Sequence, residues 1–405
     1  MKIKTKLKIR NIIIYIVLTV VAYFMLFPFT YMITSSLKTP VDTFRFPPRL
    51  LPRDQKTISI DGYKDDLPLF YLTAEGETEK KEFALVKKNI RTSIYADPNN
   101  SDIEYEKFSS EVIPRGGYFD DQEKIKYEGE EVGLWNVEIN GTIIPMIQIS
   151  QTAVGKFVNP MDLEEEMYAN ARLAEPVEKL SAHPENYTEV FELQGLYKSL
   201  VNTTLITILV VIGQILTSIL GGYAFARLRF PGRDKLFLLY LGTYMIPFVV
   251  LIIPLYQVMQ ALSWANTATA LVVPWIFTVY GTFLMRQFFL TIPMEIEEAA
   301  LIDGASRILM LRKIFIPAIM PGIATLATFS FLYAWNSFLW PLIIIKIGSD
   351  NMVLTIALNQ LQGRSVDKLN LILAGAAITI LPPVLVFIAM QKYYLKSIMA
   401  SGVKG

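Results

Sequence analysis

Side chains able to carry covalent or acid–base chemistry are scarce in this 405-residue sequence. It has no cysteine, which excludes a disulfide framework and a Cys-ligated metal site. Its one histidine, His183, stands beside Pro184 and reads as a loop residue, so histidine-based catalysis and zinc binding are excluded too. Neither the phosphate-cradling G-x-x-x-x-G-K-S/T nor the dinucleotide G-x-G-x-x-G occurs. Carboxylates remain. Glu130-Glu131 and Glu164-Glu165-Glu166 lack the alternating ligand spacing of a calcium loop and read as solvated faces. A glycosidase would need two carboxylates flanking a cleft, a pairing that spacing alone leaves open.

A second group is neutral. Asn202, Gln214, Tyr240, Tyr244, Gln257, Tyr280, Trp335 and Asn336 lie inside strongly apolar runs. Such groups would meet an uncharged, polyhydroxylated solute through hydrogen bonds and ring stacking; alternatively they bond helices to one another. Tyr240, Tyr244, Trp335 and Asn336 are the candidates for a solute path. The third group is charged: "EEAALIDGASRILMLRKIFIPAIMPG", residues 297–322, lies between two apolar runs.

The elements that must hold these groups are mostly membrane spans. The chain is 52% hydrophobic with mean hydropathy +0.38, yet 19% charged, so its charge must be segregated. Six apolar runs are long enough to cross a bilayer: 12–35, 200–226, 236–258, 268–290, 319–345 and 369–391. They contain no ionisable acid or base until Arg286, which argues against a proton- or ion-coupled carrier. Any solute movement is then passive or driven from elsewhere. "ALSWANTAT" (261–269) divides the third run from the fourth, with Trp264 suited to an interface, and Pro247, Pro254 and Pro274 are tolerated in membranes. The first run also fits the start of a signal peptide, but it is too long and no small-residue cleavage site follows, so a retained span is expected.

Lys and Arg in the short segments set the orientation. Lys2, Lys4, Lys6, Lys8 and Arg10 precede the first run; Arg227, Arg229, Arg233 and Lys235 follow the second; Arg286 near the end of the fourth is joined by Arg307, Arg312 and Lys313 after it; Lys392, Lys396 and Lys404 follow the last. All four segments fall on one side, the cytoplasm, with both termini. The expected division is 1–38 (N-terminus and first helix), 39–195 (outside), 196–391 (five-helix core with a cytoplasmic loop at 291–318) and 392–405 (cytoplasmic tail).

About 30 of the 37 acidic residues fall between Asp42 and Glu192, against about 17 basic ones. The texture there is of a β-rich soluble domain. "KTISI" (56–60), "LPLFYLT" (67–73), "KEFALV" (81–86) and "EKIKYE" (123–128) read as strands, and "GLWNVEINGTIIPMIQI" as a hairpin turning at Asn140-Gly141. From Met161 to Leu180 the pattern reads as a charged helix.

The loop reads as two short helices at an angle. Pro293 punctuates its start, acids fill the first turn, Glu298-Ala299-Ala300 offers a small-residue face, Gly304 breaks the helix, Ala305 opens a second segment, and Pro317 stops it. A helix lying on lipid is the alternative, but acids at 295–303 suit an anionic leaflet poorly. A protein-docking ridge fits better.

E-A-A-L-I-D-G-A-S (298–306) with I-F-I-P (314–317) resembles the cytoplasmic loop motif of ABC-importer permeases, E-A-A-x-x-x-G followed by I-x-x-P. "EEAALIDGAS", "AWNSFLWPL" (334–342), "GGYAFARLRFPGR" (221–233) and the terminal "SGVKG" are similar to the carbohydrate-uptake branch, in particular the smaller permease of the maltose-transporter pair. The resemblance covers 1–53 and about 184–405. It implies an α-helical polytopic membrane protein of type I importer architecture with six transmembrane helices, in the plasma (inner) membrane of a bacterium or archaeon. It implies a second permease subunit, two cytoplasmic ATPases that hold the ATP and Mg, an extracellular solute-binding protein and a sugar or oligosaccharide substrate. No cofactor on this chain and no nucleic acid are implied. Glu298, Ala299, Ala300, Asp303, Gly304 and Ala305, with Arg307 and Pro317, would meet the ATPase. Leu311 departs from the pattern, where an aromatic is common. So do about 130 residues between "FPPRLLP" (46–52) and "PENYTEVF" (184–191), for which the resemblance gives no function. They are expected to orient the binding protein or the second permease, or to be purely structural. Two other functions stay open: a permease of this superfamily for another solute, and a membrane-anchored, carboxylate-dependent glycosidase.

Overall fold

Proline, asparagine and glycine decide where the long apolar runs bend. The computed structural model describes residues 2–73, 79–118, 121–127, 129–364 and 367–401. It divides into a helical unit, residues 1–52 with 182–405, and a β unit, Arg53–Ser181.

The helical unit opens with α1 (Lys2–Ser36) and a short α2 (Pro40–Thr43), then α3 (Glu185–Glu192) and the long α4 (Leu196–Arg227). α5 (Arg233–Thr243) and α6 (Phe248–Ala261) follow, then α7 (Ala268–Val272) and α8 (Val279–Leu290). The loop carries α9 (Met294–Ile302), α10 (Arg307–Met310), a π turn over Leu311–Phe315 and α11 (Ile316–Ala318). α12 (Met320–Trp335), α13 (Leu339–Ile344), α14 (Leu354–Arg364) and α15 (Leu369–Ser401) complete it.

Among the described residues, four helical stretches are long and apolar enough to cross a membrane: Arg10–Ser36, Leu196–Arg227, Ala268–Leu290 and Leu369–Lys392. Two more qualify only as bent pairs, α5 with α6 at 94° and Arg307–Ala318 with α12 at 77°. Two of the expected continuous spans are therefore corrected. Run 236–258 breaks after Thr243, because Pro247 drives the residue before it out of the helical region. Run 319–345 breaks after Trp335, where the Asn336 amide turns back to the Leu332 carbonyl at 2.8 Å. α1 exposes an apolar surface from Ile12 to Phe29, as a lipid-facing helix does.

α4 and α8 pack backbone to backbone through small residues. A Cβ on Gly222 would lie 2.6 Å from the Cβ of Met285 and 2.8 Å from the Arg286 nitrogen, so nothing larger fits. One core cluster joins Val210, Leu271, Trp335, Trp340, Leu354 and Leu371. A second joins Tyr223, Met285, Phe289, Ala300, Met310 and Phe315, and this one carries the loop.

The β unit is antiparallel throughout. Its strands are β1 (Arg53–Gln55), β2 (Thr57–Ile58), β3 (Leu67–Thr73), β4 (Lys80–Asp97), β5 (Asn100–Phe108), β6 (Ile113–Pro114), β7 (Lys124–Tyr127), β8 (Glu130–Ile139), β9 (Thr142–Asn159), β10 (Asp162–Ala169), β11 (Glu175–Pro176) and β12 (Glu178–Leu180). The sheet path runs β11-β3-β4-β9-β8-β6, with β5 beside β4 and β10 beside β9. Asn140 and Gly141 both take positive φ, 50° and 79°, and pair Ile139 with Thr142 in the expected hairpin.

The helix read at 161–180 is not formed. β10 pairs with β9 instead, because its acids find lysines across the sheet: Glu166 meets Lys156 at 2.5 Å and Glu165 meets Lys81 at 3.8 Å. Cross-strand pairing outweighs local helix preference here. β1 and β12 pair with each other, Arg53 opposite Leu180, so the unit begins and ends at one neck. Residues 39–52 and 182–195, expected with the inserted domain, cluster with the helices. Asn186 stitches them there by donating to the carbonyls of Ser36 (2.8 Å) and Lys38 (2.9 Å), while the His183 amide donates to Leu37 (2.9 Å).

Candidate functional site

The loop starts where α8 ends. Pro293, at ψ 142°, turns the chain into α9, whose first turn carries Glu295 and Glu297 against the positive end of the helix dipole. Gly304 ends α9 in a left-handed conformation at φ 77°. The Gly304 amide bonds the Leu301 carbonyl (3.0 Å) and the Ala305 amide bonds the Ala300 carbonyl (2.9 Å). That pair of bonds is a Schellman cap, which needs a residue free of αL strain at 304. Ser306 then caps α10 by accepting from the Leu309 amide at 3.3 Å.

Glu298, Ala299, Asp303, Gly304, Arg307 and Pro317 are exposed. Ala300 is buried and Ala305 half-buried, both packed into the cluster of Phe289, Met310 and Phe315. Smallness at 300 and 305 thus serves the loop's own packing. Pro317 does not stop the helix, as its sequence position implied. The π turn before it widens the ladder so that proline's missing donor is absorbed, and the bend falls at Ile319. Sequence reasoning missed Ile302 and Ile308, which stand 86% and 79% exposed on either side of the Gly304 turn. Their apolar side chains at such exposure were the available signal.

Arg227, buried beneath the loop and not on its exposed face, was also missed. It ends α4, yet its side chain is 3% exposed and pairs with Glu297 at 3.4 Å. The same guanidinium donates to the carbonyls of Phe289 and Ile292 and lies 5.3 Å from the Phe315 ring centre.

A cleft of about 960 Å³ opens among α4, the α5–α6 break, α8 and α12. Tyr244, Phe248, Trp275, Tyr280, Phe329 and Tyr333 give it an aromatic wall, and none of its lining residues is charged. Its floor is built by the break at residues 276–278, between the 3-10 turn Val273–Trp275 and α8, which frees helix carbonyls. Gln214 satisfies Trp275 (2.7 Å) and Thr217 satisfies Ile276 (2.6 Å), while Ser330 donates to Gln214 at 2.5 Å. Helix bonding is thus what Gln214 does, at the cleft's edge.

Of the four proposed path residues, Tyr244 alone lines this cleft. Tyr240 packs against Phe225, its hydroxyl 3.3 Å from Thr282. Trp335 is 1% exposed and donates to the Thr379 carbonyl at 3.0 Å. Asn336 is spent on the helix break. At the far end of α4, Asn202 donates to the carbonyls of Asp350 (2.8 Å) and Met352 (2.9 Å). Lys198 bonds Asp350 at 2.5 Å and holds that carboxyl below its ordinary range. In the β unit, the bond from Glu166 holds Lys156 above the usual lysine value. Among the described residues no group of three or more acids and histidine is arranged to hold a metal ion.

Comparison with known proteins bears on the helical unit. Residues 198–399 match the family model described as "binding-protein-dependent transport system inner membrane component". The arabinooligosaccharides transport system permease protein AraQ of Halalkalibacterium halodurans is 37% identical over 222 residues, covering 55% of this chain and 79% of that one. This chain belongs to that family. The sn-glycerol-3-phosphate transport system permease protein UgpE of Rhizobium meliloti is 33% identical over 267 residues, covering 64% of this chain and 93% of its own. A solved bacterial ABC transporter involved in alginate import is 21% identical with TM-score 0.48, covering 53% of this chain and 81% of that one. An inner-membrane component of this family is a multi-pass transport subunit, working with ATPase subunits and a solute-binding protein.

Proposed function

We propose that this chain is one of two membrane-spanning subunits of an ATP-driven importer for neutral sugars or oligosaccharides. The uncharged, aromatic cleft carries the reading. Ring faces stack on the apolar faces of sugars, and no basic residue lines the cleft to neutralise an anion such as glycerol 3-phosphate. The relative named for arabinooligosaccharides supports the same substrate class.

Both termini are placed in the cytoplasm and the β unit outside, a reading that the Lys and Arg of the short segments support. A second, different permease closes the other side of the cleft. The exposed face of the loop, Glu298, Ala299, Asp303, Gly304 and Arg307 with Ile302 and Ile308, docks on an ATPase. ATP-driven closure moves that loop and switches the cleft between its two openings. The β unit orients the binding protein. Deleting residues 54–180 lowers binding-protein affinity if so; unchanged affinity removes that role.

The test of substrate class is uptake by the whole complex in proteoliposomes. Neutral oligosaccharide should enter in an ATP- and binding-protein-dependent way, and Tyr244→Ala should slow it. Uptake of glycerol 3-phosphate in preference to any neutral sugar overturns the assignment.

A further inference from the structure

We infer that Arg227 is the positioning residue through which movement of the loop reaches the solute cleft, with α4 as the connecting rod. This goes beyond the proposed docking of the loop and rests on it.

α4 runs unbroken for 32 residues, about 48 Å at 1.5 Å per residue. It is bonded at three stations. At its last residue, the Arg227 guanidinium gathers the end of α8 (Phe289 and Ile292 carbonyls), the first turn of α9 (Glu297 at 3.4 Å, Met294 sulfur at 3.0 Å) and the ring of Phe315 after α10. Both helices of the loop are thus held from one side chain. At its middle, Gln214 joins the cleft through Trp275 and Ser330. At its start, Asn202 and Thr203 hold the turn that leads into α14, Thr203 accepting from the Leu354 amide at 2.8 Å.

The guanidinium fork suits this place because it is planar and always charged. Carbonyls at a helix C-terminus lack intrahelical partners, and the helix dipole there favours a cation. A lysine keeps the charge but carries its donors on one nitrogen, whereas here one guanidinium nitrogen meets the two carbonyls and the other meets the carboxylate. α4 and α8 cannot slide freely, since Gly222 leaves no gap between them. A push on α9 is therefore delivered to α4 at Arg227 and appears at Gln214.

The test uses the assembled complex in lipid nanodiscs, with Arg227→Met and Arg227→Lys. Three quantities are read: ATPase co-purification, basal ATP hydrolysis, and its stimulation by solute-loaded binding protein. Transmission predicts co-purification and basal hydrolysis within twofold of wild type, with stimulation and uptake at least tenfold lower in the Met variant and intermediate in the Lys variant. Unchanged stimulation and uptake in the Met variant overturns the proposal. Loss of co-purification together with uptake in both variants also overturns it, because Arg227 would then only fold the docking surface. If the Met variant does not accumulate, the Lys variant decides on the same readouts. Failure of the wild-type chain to bind an ATPase removes the docking reading itself, and the transmission role with it.

Discussion

Replacing Gly304 with asparagine separates what the loop needs for its own fold from what it offers a partner. A Cβ at Gly304 meets no atom of this chain within 4 Å. The cost of substitution within the chain is therefore conformational alone, set by φ 77°. For most L-residues the left-handed region costs about 1–2 kcal/mol, and asparagine visits it more readily than any but glycine. Gly304→Asn should cost the isolated permease less than about 1 kcal/mol, a small part of a typical folding stability of about 5–15 kcal/mol. Yield and thermal midpoint in detergent should stay close to wild type. On the proposed docking face the same side chain would stand where a partner approaches the backbone. Displacing that contact by about 1.4 kcal/mol already lowers affinity tenfold. The assay is ATPase capture across a concentration series, run beside the melting curve. A Gly304→Asn permease that binds ATPase and imports solute normally refutes the docking position. One that fails to fold refutes the reasoning about open space.

Gly222→Ala should lower the thermal midpoint by an overpacking cost of about 1–3 kcal/mol, whereas Gly242→Ala, with no atom within 4 Å, should be neutral or slightly stabilising; equal midpoints would contradict the close α4–α8 approach. Tyr244→Ala should slow uptake while leaving stability and ATPase capture unchanged. Trp335→Ala should instead destabilise the fold by about 3–5 kcal/mol, measured by unfolding in detergent, since this side chain is fully buried. Lys156 holds its proton more tightly in the fold than in the open chain, because of Glu166. Its stabilising contribution is present below the ordinary value of 10.5 and lost as pH rises through the raised one. Unfolding followed across that alkaline range should show a loss in wild type that Glu166→Gln lacks.

Long uncharged runs were legible because each must bury its whole length in one medium. Their breaks were less so. Pro247 and Asn336 each interrupt a run that hydropathy alone joins, and the outcome depends on which neighbours satisfy the freed backbone. The loop motif was readable down to the glycine turn, since a Schellman cap is a local affair. Arg227 was not, because at the end of a span it counts as one more cytoplasmic charge. Its proposed role rests on partners 62 to 88 residues further along the chain. The acids at 164–166 misled for a related reason: Lys156 in the preceding strand and Lys81, far off in sequence, favour a strand there. Trp335 and Asn336 share a motif with Trp340, and in this structure all three make bonds that hold helices or the helix break.

The neck of the β unit has a consequence for stability. The helical unit can bring Leu37 to His183 only by closing a loop of more than a hundred residues. Loop closure costs about 0.6 kcal/mol for each doubling of length, so an unfolded insertion would charge the helices about 2 kcal/mol more than a ten-residue connection. Once β1 and β12 pair, the two ends already stand side by side and that charge vanishes. Pairing of the sheet thus favours closure of the membrane part by about that 2 kcal/mol, which couples the stability of the insertion to that of the helices joined across it.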